Sequence, residues 1–148
     1  ERLFLTFSVP TWTRKVVRAI QKERKVYLWD SPRIEDPAAR FENMVAIELK
    51  RAVSSWSELG HGRFGLHFVK NKEQQEVDFL LSRDDRPILL LEAKLTNPEP
   101  GKSLRKHQAA LGVPAVQLTN EGATYREYPN DEHRILSAPA WAWLSKLP

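Results

Sequence analysis

The stretch Glu76-Val77-Asp78-Phe79-Leu80-Leu81-Ser82, then a polar turn Arg83-Asp84-Asp85-Arg86-Pro87, then Ile88-Leu89-Leu90-Leu91-Glu92-Ala93-Lys94-Leu95, decides the fold. Two apolar runs joined by a charged, proline-bearing turn read as an antiparallel hairpin. Ile88 to Leu91 is continuous rather than alternating, the pattern of a central strand buried on both faces. Charge follows it at once. Side chains on a strand alternate at period two, so Glu92 and Lys94 leave the same face and an antiparallel partner brings Asp78 beside them. Charge entering the end of a buried strand is costly unless it is paired or coordinated. Two carboxylates next to a lysine have the composition of a magnesium-type site that cuts phosphodiesters. Asp78 and Glu92 are therefore candidate metal ligands, with Lys94 as their cationic neighbour.

Working outward, Asp36-Pro37 opens a helix with proline in its first turn, and Phe41, Val45, Leu49, Ala52 and Trp56 recur along it as one apolar stripe. Glu42 and Glu48 lie on opposite borders of that stripe, and either can be the acid turned towards the sheet. Gly60-His61-Gly62 is a turn and Arg63 to Lys70 a strand, giving a three-strand meander with the two runs above. Pro100-Gly101 precedes a helix from Ser103, its expected N-cap, to Leu111, which Gly112 ends. Ala115 to Leu118 is then a fourth strand, parallel because a helical crossover leads to it. The order is αβββαβ, an α/β fold with a central mixed sheet flanked by helices.

The rest is less ordered in pattern. Before the core, Leu3 to Val9 reads as a strand, Trp12 to Lys22 as a basic helix and Lys25 to Trp29 as a second strand, with Asp30 to Pro37 as a linker. That divides the chain into an N-terminal strand-helix-strand segment, 1–37, and a core, 38–148, in one compact unit. After Thr119, Tyr125 to Tyr128 is a short strand, and Trp141-Ala142-Trp143 is expected to pack rather than to stack on bases.

Composition narrows the class. A chain of 148 residues with 41% hydrophobic content can bury a single sizeable core. With no Cys, disulfide frameworks and Cys-based zinc sites are excluded, and the four histidines show no ligand spacing. No apolar run nears the roughly 18 residues needed to cross a bilayer, and there is no signal-peptide pattern, so a cytoplasmic protein is expected. The chain begins with Glu and carries no phosphate-binding loop, which fits a piece of something longer. A net charge of +4 suits a polyanion partner, with Lys102, Arg105 and Lys106 on the later helix as the candidate nucleic-acid contacts.

The spacing from Asp78 to Glu92-Ala93-Lys94 resembles the D…E-x-K core of the PD-(D/E)XK nuclease superfamily, with Val77 where the superfamily's name has proline. More narrowly, Lys25-Val26-Tyr27-Leu28-Trp29-Asp30, Phe41-Glu42-Asn43, Glu76-Val77-Asp78-Phe79 and Leu91-Glu92-Ala93-Lys94, in that order, resemble the domain of unknown function DUF4143, the C-terminal part of a group of prokaryotic AAA+ (P-loop) ATPases. The resemblance implies a restriction-endonuclease-like fold and a hydrolase mechanism. In it Asp78 and Glu92 hold Mg2+ or Mn2+, the Ala93 carbonyl is an extra ligand, and Glu42 supports the metal or its water. Lys94 places the attacking water, Gln108 orients the site, and the cut leaves a 5′-phosphate and a 3′-hydroxyl. It implies nucleic acid, chiefly DNA, and an N-terminal ATPase as partners, and admits a homo-oligomer. The competing expectation is a non-catalytic module of the same fold that binds nucleic acid or protein.

Overall fold

The computed structural model describes residues 5–13 and 23–148. A small antiparallel hairpin comes first, β1 (Thr6–Pro10) and β2 (Arg24–Leu28). The expected strand from Leu3 begins within the described residues at Thr6, and most of the expected basic helix, residues 14–22, lies outside them. Trp12 is described and is not helical: its backbone N–H donates to the Phe68 carbonyl at 2.8 Å. A single 3-10 turn, Ser31–Arg33, interrupts the expected linker.

Helix α1 (Pro37–Glu58) starts where the sequence puts it, because the Asp36 carboxylate accepts the Ala39 N–H at 2.7 Å and Pro37 occupies the first helical position. The meander follows as β3 (Phe64–Lys70), β4 (Glu76–Arg83) and β5 (Arg86–Lys94). Its turn is tighter than the five residues expected. Only Asp84 and Asp85 lie between the strands, with φ of 49° and 64°, the two-residue geometry that matches the twist of a hairpin. Pro87 sits inside β5 opposite Ser82, next to a register shift that spares the ladder its missing N–H.

Helix α2 (Lys102–Leu111) is capped by Gly101 rather than Ser103, and ends on Gly112 at φ 64°, the left-handed conformation that glycine adopts without strain. It carries the chain to β6 (Ala115–Thr119), parallel to β5 as expected. The short strand foreseen at Tyr125 is β7 (Arg126–Asn130), and its unforeseen partner is β8 (His133–Pro139), which runs parallel to β6. A last helix, α3 (Ala140–Leu144), leaves Trp141 exposed and packs Trp143 against the core. The main sheet is mixed, in the order β3-β4-β5-β6-β8-β7.

The sheet is covered on both faces. Phe41, Val45 and Leu49 of α1 bury Phe79, Leu81 and Leu91, while Leu104 of α2 packs with Leu80, Leu90 and Ile135. Leu90 and Leu91 are each 0% exposed, so the second half of the apolar run in β5 is buried on both sides, while Ile88 and Leu89 are half-buried. The N-terminal hairpin joins the α1 side. Asn43, a buried residue of α1, accepts the Leu28 N–H at 2.8 Å and donates to the Leu28 carbonyl at 2.7 Å, acting as a strand partner for the edge of β2.

Candidate functional site

The ladder between β4 and β5 gives way to side chains just beyond the Phe79–Leu91 pair. There the Asp78 N–H donates to Glu92 Oε2 at 3.2 Å, and the Ala93 N–H donates to Asp78 Oδ2 at 3.0 Å. Each carboxylate thus takes an amide from the opposite strand. Lys94 turns back to the same group, its Nζ 2.7 Å from Glu92 Oε1, as period-two alternation requires. Glu92 is 7% exposed, and burial of such a charge is tolerable only because an ammonium and an amide both reach it.

Helix α1 adds Glu42, while Glu48, on the other border of the stripe, points elsewhere and pairs with Arg51. The hairpin adds two groups that the sequence reading did not select. Lys25 Nζ lies 2.6 Å from Glu76 Oε1, 3.1 Å from Glu42 Oε1 and 3.3 Å from Asp78 Oδ1. The Tyr27 hydroxyl donates to Glu42 Oε1 at 2.7 Å. Lys25 and Tyr27 alternate on β2, and that period-two placement of a cation and a phenol on one face of a strand was the available signal. Their contact with acids as far as 53 residues away was not visible in it.

The electrostatics follow from crowding. Burial, then the negative charges of Glu92 and Glu42, push the Asp78 carboxyl up from 3.8 to about 7, against the pull of Lys25 and the Ala93 N–H. Burial alone would lower the Lys25 ammonium, but Asp78, Glu42 and Glu76 outweigh it and hold it above its ordinary range. Burial also works to lower Lys94, and the hydrogen bond and charge of Glu92 reverse that. For Tyr27, burial and then the Glu42 charge raise the phenol far above its usual range, so it stays a donor.

Gln108 is not brought to this group. It is buried behind α2, donating to the Arg134 carbonyl at 2.9 Å and accepting from Asn130 Nδ2 at 2.8 Å, so it joins the helix to the β7–β8 turn. Two of the three basic residues on α2 also have internal partners. Arg105 donates to the Pro100 and Pro129 carbonyls, and Lys106 pairs with Glu73, while Lys102 is exposed.

Chemically, the four carboxylates Glu42, Glu76, Asp78 and Glu92 face two ammoniums, an excess of two negative charges when all are ionised. Hard oxygen donors with that excess suit one divalent cation. Among the described residues no group of three or more His, Cys, Asp or Glu is already arranged around a metal position. The donor types and the charge fit a cation, and the present packing gives that charge to Lys25 and Lys94. A cleft of ≈ 280 Å³ between β2 and α1, lined by Lys25, Tyr27 and Glu42 among others, opens beside the group.

The family profile described as "Domain of unknown function (DUF4143)" matches residues 38–141, well over half of the chain. The chain belongs to the DUF4143 family. The match covers α1, the whole main sheet and α2, but not the hairpin that supplies Lys25 and Tyr27. Comparison with curated proteins finds no match. Among solved structures the chain is similar to one in the refined half-complex from a tetradecameric assembly of Thermococcus gammatolerans McrB AAA+ hexamers with bound McrC, at 16% identity and a TM-score of 0.48. That similarity covers 70% of this chain and 28% of the other, so this DUF4143 chain spans about a quarter of the protein it matches. No described helix is long and apolar enough to cross a membrane.

Proposed function

We propose that this DUF4143 domain is a metal-dependent nuclease-like module of the PD-(D/E)XK type that hydrolyses phosphodiester bonds in nucleic acid and serves as the C-terminal part of an AAA+ ATPase. The observation that carries the chemistry is the meeting of Asp78, Glu92 and Lys94 where β4 and β5 separate, with Glu42 electrostatically coupled to Asp78 and Lys94. Asp78 and Glu92 would hold Mg2+ or Mn2+, which when bound supplies Lewis acidity and a more acidic water. Lys94 would orient an attacking water and meet the charge that grows on phosphorus. The water oxygen would bond to phosphorus as the 3′-oxygen leaves, giving a 5′-phosphate and a 3′-hydroxyl. The ATPase link rests on the family resemblance of the motif order.

The non-catalytic reading is favoured by one observation. Asp78 and Glu92 already have internal partners, two for each, including Lys25 on Asp78. Single-turnover cleavage of supercoiled, branched and single-stranded DNA and of RNA in Mn2+ decides between them. Lys94→Ala is expected to leave nucleic-acid binding near that of the parent while lowering cleavage by orders of magnitude, since its contribution is realised chiefly in the transition state. Asp78→Asn is expected to weaken metal affinity as well as rate. Absence of cleavage by the parent, alone or joined to an ATPase part, would favour the non-catalytic reading instead.

A further inference from the structure

Lys25 lies outside the family-matched segment and outside the main sheet, yet it is the cation most shared by the site's carboxylates, reaching Glu76, Glu42 and Asp78 within 3.3 Å. We propose that Lys25 is the resident counter-ion of this site and takes the part of a second divalent cation, so that the site accepts one metal ion rather than two. The proposal rests on the metal-dependent reading above.

Three observations support it. First, the ammonium is held in place: its side chain is 22% exposed, it lies 5.6 Å from the Phe68 ring centroid, and its acceptor Glu42 Oε1 also accepts from the Tyr27 hydroxyl. Second, docking the hairpin does not require it. The Asn43 clasp on Leu28, the Tyr27–Phe79 ring contact at 5.9 Å and the Thr11–Phe68 bridge already fasten β1 and β2 to the body. Third, the charges fit one divalent ion only with Lys25 present. Without it the four carboxylates face Lys94 alone, an excess of three negative charges, which a single divalent ion leaves unbalanced.

The test compares the parent chain with Lys25→Met, Lys25→Gln and Lys25→Arg, measuring Mn2+ affinity by electron paramagnetic resonance and the Mn2+-induced shift in unfolding temperature. The neutral variants are expected to bind Mn2+ about tenfold or more tightly than the parent and to take a second, spin-coupled ion, while Lys25→Arg stays parent-like. Mn2+ binding by the neutral variants that is equal to or weaker than that of the parent overturns the proposal and leaves the metal reading standing if the parent binds one ion. Binding by the variants with none by the parent overturns the proposal, since Lys25 would then exclude the metal altogether, and counts against the parent as a metal enzyme. No binding by any of them overturns both. A coupled Mn2+ pair on the parent overturns the proposal whether or not any variant folds.

Discussion

At the scale of single residues, Asp78 is the point where stability and chemistry oppose one another. Its folded carboxyl, near pH 7, holds a proton at pH values where the unfolded chain, with the ordinary value of 3.8, has lost it. The folded state is therefore favoured less as pH rises from about 4 to about 7, and the whole penalty stands above that window. Asp78→Asn should remove the penalty. Relative to the parent it is expected to gain about 1 to 3 kcal/mol of stability at pH 8 and little or nothing at pH 4, by chemical denaturation at the two pH values. A variant equally stable to the parent at pH 8 would mean that the carboxyl is not strained by its neighbours. Saturating Mg2+ should shrink the difference, since a bound cation favours the ionised form.

Among elements, the hairpin and α1 are joined by a polar clasp at Asn43, beside the contacts of Lys25 and Tyr27 with Glu42. Asn43→Ala leaves the Leu28 amide and carbonyl without their partners, and unfolding in urea is expected to show a loss of about 1 to 3 kcal/mol. Asn43→Asp, which sets a carboxylate oxygen against the Leu28 carbonyl at a buried position, should lose at least as much. Much of this level was legible in the sequence. The stripe from Phe41 to Leu49, the Asp36 cap, the strands around Asp78 and Glu92 and the parallel β6 all follow from local periodicity and capping. What escaped is what local pattern does not encode. β8 carries no clean alternation because it is buried between β6 and β7 and ends in proline. Gln108 is a site residue only by the family resemblance, and α2 turns it towards Asn130. Lys25 and Tyr27 matter only through contacts with distant segments.

Taken whole, the molecule carries a net charge of +4 while its candidate site is an acidic pocket, so any polyanion must be drawn by basic surface elsewhere. Of the α2 cations, Arg105 and Lys106 have internal partners and Lys102 is exposed. Lys102→Ala is therefore expected to weaken duplex DNA binding and to lower the slope of log affinity against log salt by about 0.9, the release associated with one phosphate contact, measured by fluorescence anisotropy across a salt series. An unchanged slope would remove α2 from the binding surface. The hairpin has a different consequence at this scale. The family match begins at residue 38, but the candidate site does not. A chain trimmed to the family-matched segment would retain the main sheet and the four site carboxylates, yet uncover Phe79 and strip Glu42 of its phenol. Its metal affinity and pH response would describe an artefact of where the cut was made. The boundary of the family match and the boundary of the candidate site are thus separated by one small β-ribbon.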